Sequence, residues 1–268
     1  MVNPKELTRE IIIQTLVHAL APLDYIHAFW EGGAAAFNRI DEWSDIDLYL
    51  VVDDTKVDET FLAFEKALKP LSSIKQKCAV THPPESELFQ AFYRLEDTSE
   101  YLLIDLAVFK LSSPDKFLEP EIHGNAVFYF NKSDIIKPSP LDKSAFVKKL
   151  QRRLERLKVN FNMFNNLVQK EISRGNYLEA LYFYRVVALA SLVEALRIKY
   201  HPLHHHFKMR CIHYELPPET INELRHLFFV NNEKDLQEKY DKATKWFLET
   251  ISEITMNDVE KSVKRGCN

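Results

Sequence analysis

Three carboxylates and a pair of glycines are the residues of this chain whose types and spacing could do chemistry. Gly32-Gly33 follows Phe29-Trp30-Glu31 and stands eleven residues ahead of Ser44-Asp45-Ile46-Asp47. Side chains two apart on a strand share a face, so Asp45 and Asp47 point the same way at the head of the apolar run that begins at Ile46. Two like charges this close raise each other's cost of ionisation. A divalent cation removes that cost, and Mg²⁺ favours one or two carboxylates together with phosphate oxygens. Gly32 and Gly33 leave backbone N–H groups open to a phosphate. The whole chain has only 5 glycines. Two of them just ahead of an Asp pair describe a nucleotide–metal site better than an unrelated turn and a solvated strand end. The third carboxylate, Asp105, lies in Tyr101-Leu102-Leu103-Ile104-Asp105-Leu106-Ala107-Val108-Phe109. One charge inside an apolar strand is costly unless it is paired or bound to metal.

This pattern resembles the signature of the nucleotidyltransferase superfamily, the fold shared with DNA polymerase beta: a Gly-Gly or Gly-Ser turn, a spacer of about ten residues, then Asp-hydrophobic-Asp. Gly32-Gly33 and Asp45-Ile46-Asp47 match it, and Ser44 before the first Asp fits as well. Many small members carry Ser where Gly33 stands, so a phosphate contact there would come from backbone alone. The resemblance implies nucleotide binding by Gly32, Gly33 and Ser44. It also implies that Asp45, Asp47 and Asp105 serve as catalytic and metal-binding residues for Mg²⁺, one ion or two, with a nucleoside triphosphate as substrate. Asp105 is the position that matches the family's third carboxylate on a neighbouring strand.

These residues need elements to hold them. A helix is expected over Asn3–Leu20, capped by Asn3, with Pro4 at its start, Glu6 closing a capping box and a stripe of Leu7, Ile11, Leu16 and Leu20. Tyr25–Trp30 reads as the strand that delivers the Gly-Gly turn, and Ala34–Phe37 as the start of a helix whose dipole favours phosphate. The run after Ile46 reads as a buried strand, and Asp53-Asp54 as the turn that ends it. Val57–Leu71 has helical spacing. Ile74–Val80 reads as a strand closed by Pro83-Pro84, Leu88–Leu95 and Tyr101–Phe109 as a hairpin, and Ala126–Phe130 as one more strand. Lys137-Pro138-Ser139-Pro140 reads as a linker, because proline stops both helix and ladder.

The texture beyond the linker is helical. Lys143–Lys158 carries Lys149, Arg152, Arg153 and Arg156 on one face, a basic stripe that suits solvent or an acidic neighbour and could also meet an anionic ligand. Tyr177–Tyr200 reads as one long helix containing Arg185 and Glu194, as paired core charges or as charges facing a cleft. Pro217–Val230 and Glu233–Ile254 complete a small bundle. His201, His204, His205, His206 and His213 cluster between two of these helices. No carboxylate or cysteine completes a usual zinc spacing with them, so they read as a surface or interdomain turn with adventitious metal affinity. The expected fold is therefore α+β: a nucleotidyltransferase domain over 1–138, with a mixed sheet and flanking helices, then an all-α bundle over 141–268. That order and length resemble the aminoglycoside and lincosamide nucleotidyltransferases.

Composition narrows the classes. A chain of 268 residues that is 46% hydrophobic can bury a full core. Its net charge of −4 hides an asymmetry: residues 1–140 carry 13 Lys and Arg against 23 Asp and Glu, leaving the basic excess to residues 141–268. No strongly basic whole appears, which disfavours nucleic acid as a partner. No apolar run of membrane-spanning length occurs, and the N-terminus lacks a signal-peptide pattern. Cys78, Cys211 and Cys267 form no disulfide framework, which points to the cytoplasm. The expected reaction is transfer of a nucleoside monophosphate to a hydroxyl of a small, antibiotic-like molecule, with release of pyrophosphate. The alternatives are a non-catalytic or antitoxin-like interaction module, or nucleotidylation of RNA or protein. A homodimer is compatible with the resemblance.

Overall fold

The computed structural model describes residues 7–83 and 87–266. Asn3, Pro4, Glu6, Pro84 and Cys267 lie outside them. The chain divides into two compact units, 1–140 and 141–268.

The first unit is built on six strands: β1 (Ile26–Glu31), β2 (Ile46–Val52), β3 (Ile74–Val80), β4 (Leu88–Leu95), β5 (Ile104–Lys110) and β6 (Val127–Asn131). They form one mixed sheet in the order β3-β4-β5-β2-β1-β6. β2 and β5 run parallel at its centre, and every other pair is antiparallel. Beyond Asp47 and Asp105 the central strands are largely apolar on both faces, because both faces are covered.

On one face lie α1 (Arg9–Leu20) and α3 (Val57–Leu68), with α2 (Gly33–Ala36) between them in sequence. Ile12, Leu16 and Leu20 from α1 and Phe64 and Leu68 from α3 share a core with Leu48, Leu50, Leu106 and Val108. On the other face Trp30, Tyr49 and Phe109 stack nearly parallel, Trp30 to Tyr49 at 5.4 Å and 9° and Tyr49 to Phe109 at 6.3 Å and 6°. Leu118 and Ile136 close over them, from the two sides of the short α4 (Pro120–His123).

Helix α1 starts later than the apolar stripe predicts. Leu7 is outside it, its N–H bonded to the carbonyl of Asp97 at 3.1 Å, and Thr8 is the residue that precedes the helix. Strand β5 likewise begins at Ile104, not at Tyr101. This puts Asp105 second in β5, as Asp47 is second in β2.

The second unit is all helical: α5 (Lys143–Phe164), α6 (Asn166–Ser173), α7 (Tyr177–Phe183), α8 (Ala190–Tyr200), α9 (Ile212–Glu215), α10 (Pro218–Phe228), α11 (Glu233–Glu253) and α12 (Met256–Arg265). Asp142 caps α5 by accepting from the Ala145 N–H at 2.9 Å, and Asn232 caps α11 in the same way. Such caps contribute about 1 kcal/mol each. Phe146, Leu150, Leu154, Leu157 and Phe161 make the buried stripe of α5, and Phe161 stacks on Phe247 of α11 at 3.7 Å.

Two expectations are corrected in this unit. The helix read over Tyr177–Tyr200 is interrupted, since Tyr184–Leu189 winds as a π-helix between α7 and α8. Arg185 and Glu194 are not partners either. Arg185 is exposed, and Glu194 takes a two-point ion pair from Arg153, 2.5 Å from Nε and 2.6 Å from Nη2. That pair withdraws Arg153 from the basic stripe and leaves Lys149, Arg152 and Arg156 exposed. Among the described residues no helix is long and apolar enough to cross a membrane.

Candidate functional site

The site forms where β1, β2 and β5 present their ends to one another. Asp47 and Asp105 are register partners on the adjacent parallel strands. By the alternation of strand side chains both lie on the face that carries Tyr49 and Phe109. Asp45 sits one step before β2, on the same parity. The Gly-Gly turn touches this group directly. The Gly32 N–H donates to the Asp47 carbonyl at 2.9 Å. Gly33 has φ +51°, and a Cβ built on it would stand 1.7 Å from Asp47 Oδ2. The left-handed conformation and the missing side chain are thus both required at Gly33. A Cβ on Gly32 would meet the Tyr49 ring at 2.6 Å, so each glycine clears the way for a named neighbour.

The electrostatics are those of crowded acids. Burial pushes the Asp105 carboxyl up to about 6, against the Gln90 hydrogen bonds that favour its ionised form, and the charges of Asp47 and Asp45 push it the same way. Burial also raises Asp45, although the Leu103 N–H and the guanidinium groups of Arg94 and Arg9 oppose this. Among the described residues the three carboxylates do not close to within 4.8 Å of one another, as the ligating atoms of His201, His204 and Glu215 do. Asp47 and Asp105, paired across the strands, are nonetheless oxygen donors of the kind that suits a hard divalent cation. Its charge would stabilise the ionised form that burial now penalises.

Ser44 Oγ lies 2.7 Å from Asp41 Oδ1 and accepts from the Asp41 N–H at 2.9 Å, so it shapes the turn that carries Asp45. Asp53 and Asp54 stand at the far end of β2. Asp53 meets His27 Nε2 at 2.7 Å, and Asp54 accepts from the Ser112 N–H at 3.1 Å.

Sequence reasoning missed two features. Arg9, at the head of α1, forms an ion pair with Glu31, the buried last residue of β1, and donates to the Asp45 carbonyl at 2.7 Å. Tyr129 donates to the same Glu31 carboxylate. One guanidinium thereby ties the strand before Gly32 to the loop before Asp47. Breaking such a buried pair from one side costs about 3–5 kcal/mol. No spacing announces it, because Arg9 meets a backbone carbonyl and a carboxylate distant in sequence.

The second feature is Gln90 on β4. Its Nε2 lies 2.7 and 2.9 Å from the two oxygens of Asp105, and its Oε1 lies 2.8 Å from His82 Nε2. A signal existed here: Gln90 is the one amide in the apolar run Leu88–Tyr93, an anomaly of the same kind as Asp105.

The histidine cluster differs from its sequence reading. His204 is 3% exposed, while His206 and His213 remain exposed, and a carboxylate does join His204. Glu215 from α9 meets His204 Nδ1 at 2.8 Å and forms an ion pair with the fully buried Arg197. The guanidinium also donates to the carbonyls of Lys208 and Arg210. The ligating atoms of His201, His204 and Glu215 lie within 4.8 Å of one another. Both carboxylate oxygens of Glu215 are already engaged, one by Arg197 and one by His204, and the arrangement fastens residues 201–215 to α8.

No family model matches the chain, and no curated protein matches it. Several solved structures match it, and two of them align along nearly its whole length. One is an aminoglycoside 6-adenyltransferase from Bacillus subtilis, at 12% identity and TM-score 0.35, covering 97% of each chain. The other is the spectinomycin adenyltransferase AAD(9) from Enterococcus faecialis with ATP and spectinomycin, at 11% identity and TM-score 0.37, covering 96% of this chain and 100% of that one. At TM-scores this low, function has to be read from the residues of the site itself.

Proposed function

We propose that this chain transfers a nucleoside monophosphate from a nucleoside triphosphate to a hydroxyl of a small molecule, releasing pyrophosphate. The observation that carries the reading is the pairing of Asp47 with Asp105 across two parallel strands, with the Gly33 backbone packed against the Asp47 carboxylate. An acid group that only stabilised a strand end would have no need of a glycine turn folded onto it.

Each residue has a task in this reaction. Asp45 and Asp47 would hold Mg²⁺, which neutralises charge developing at the α-phosphorus and on the leaving pyrophosphate. Gly33 offers its backbone N–H to the phosphates without a side chain in the way, while the Gly32 N–H, held by the Asp47 carbonyl, fixes the turn. Arg9 keeps the loop of Asp45 in register with the turn. Asp105 either shares the Mg²⁺ or accepts the proton of the acceptor hydroxyl. The acceptor oxygen then forms its bond to the α-phosphorus as the bond to pyrophosphate breaks. The step is an in-line displacement, for which positioning matters more than covalent catalysis.

The test is pyrophosphate release from each of the four nucleoside triphosphates with Mg²⁺. The acceptors are water, spectinomycin, a panel of aminoglycosides and a lincosamide. Asp47→Asn, which keeps size and removes charge, should abolish release in a protein that still melts cooperatively. Undiminished Mg²⁺-dependent turnover in the folded variant would remove Asp47 from the metal site. Absence of release by the wild type with every acceptor would sink the reading.

A further inference from the structure

We infer that Gln90, itself oriented by His82, is a positioning residue for the Asp105 carboxylate; this rests on the reading of Asp105 as the proton-accepting or metal-sharing acid. Gln90 is the register partner of Ala107 on β5, so it stands diagonal to Asp105 on the same face of the sheet, within reach of a long side chain. Its Nε2 lies 2.7 Å from Asp105 Oδ1 and 2.9 Å from Oδ2. Its Oε1 lies 2.8 Å from His82 Nε2.

The donor and acceptor assignments follow from the partners. An amide oxygen only accepts, so His82 Nε2 carries the hydrogen in that contact. With Oε1 engaged by His82, the amide can turn only its N–H groups to Asp105. The reverse orientation would set Oε1 against the carboxylate, two acceptors facing each other with no hydrogen between them. The His82–Gln90–Asp105 series therefore has one direction, and each hydrogen bond polarises the next.

The choice of glutamine has a chemical reason. A lysine or arginine in its place would hold Asp105 as firmly, but would bring a positive charge into a patch that has to receive a cation. A neutral amide fixes the carboxylate and leaves its charge for the metal or for the acceptor proton. A carboxylate offers about four lone-pair directions, so the contact with Gln90 leaves others for chemistry. Holding a reacting group in place before substrate arrives removes ordering from the barrier.

The substitutions are Gln90→Met, close in shape but without hydrogen bonds, His82→Ala, and His82→Gln, which can still donate. The readouts are kcat and KM for Mg-ATP, followed as pyrophosphate release with the best acceptor of the panel above, alongside melting without ligand. Gln90→Met should lower kcat by about 10- to 100-fold, within the range of a misplaced acid–base group, and leave KM for ATP within about 2-fold. His82→Ala should lower kcat less, His82→Gln should restore it, and Gln90→Met with His82→Ala should be no slower than Gln90→Met alone, because both act through one carboxylate. A role in the fold alone would lower the melting temperature and leave kcat of the folded protein intact. Asp105→Asn separates the two levels of the argument. If it abolishes turnover while Gln90→Met and His82→Ala stay within 2-fold of wild type, the positioning role is wrong and the parent reading stands. If Asp105→Asn turns over normally, the parent reading of Asp105 fails, and this inference with it.

Discussion

Asp105 shows how a single carboxyl links stability to function. Its folded pKa is pushed up to about 6, by burial first and by Asp47 and Asp45 after it, against an ordinary value near 3.9. The folded protein therefore holds a proton that the unfolded chain gives up across that interval. Stability from this group is present at acid pH and lost as pH rises through about 6. Asp105→Asn removes the penalty without removing the shape. Melts in the absence of ligand should show the variant equal to or above wild type at pH 7, with the difference shrinking toward pH 4, while turnover falls by about 100-fold or more. A variant that melts well below wild type at pH 7 and still turns over would make Asp105 a structural acid. Asp105 was legible in the sequence because a charge stands out in an apolar strand. Gln90, an equal interruption of its own strand, carries no charge and drew no attention, and Arg9 was hidden because its partners are set by the fold and not by spacing.

At the scale of elements, the turn between β1 and α2 is where the proposed reaction would bring phosphate to the carboxylates. The chain order of glycine pair, spacer and apolar run located β2 and the turn. It did not reveal that Gly33 would be left-handed, since φ is fixed by how β1 has to bend toward Asp47. The consequence for mutation is direct. Any side chain at Gly33 meets both the backbone cost of the left-handed region, about 1–2 kcal/mol, and the Asp47 carboxylate 1.7 Å from its Cβ position. Gly33→Ala should lower the urea midpoint and weaken Mg-ATP binding by 10-fold or more in calorimetry, the second effect arising because Asp47 has to move. A Gly33→Ala protein with unaltered ATP affinity would show that the turn does not cradle phosphate. The other limit of the sequence lay in the helices. The break of Tyr177–Tyr200 by a π-helix has no signature in spacing, for the apolar residues continue through it.

Across the whole molecule, Asp105 in the first unit and His201 in the second respond to acid with opposite signs. In the first, Asp105 gains stability as pH falls. In the second, burial pushes His201 down to about 4, with the neighbouring His204 acting in the same direction. The His205 ring is lowered by burial as well. The unfolded chain takes up the His201 proton near pH 6.5, and the folded ring resists it until about pH 4, so the stability this group contributes is full above pH 6.5 and is lost as pH falls toward 4. Glu215 adds to this. Burial raises its carboxyl, the hydrogen bonds from His204 and Arg197 outweigh that and lower it, and the stability it contributes is lost in acid too. In the sequence alone the histidines read as a turn with metal affinity, because no regular spacing links them to a carboxylate. The link comes through α9, which returns Glu215 to a ring eleven positions earlier. The expected result is that His201→Gln, neutral at every pH, gains stability relative to wild type as the medium is taken from pH 7 to pH 5. Urea denaturation at the two pH values, followed by fluorescence of Trp246 in a Trp30→Phe, Trp43→Phe background, measures this in the second unit. An unchanged difference between variant and wild type at pH 7 and pH 5 would mean that His201 is protonated as readily in the folded unit as in the unfolded chain, and that its burial against His204 carries no electrostatic cost.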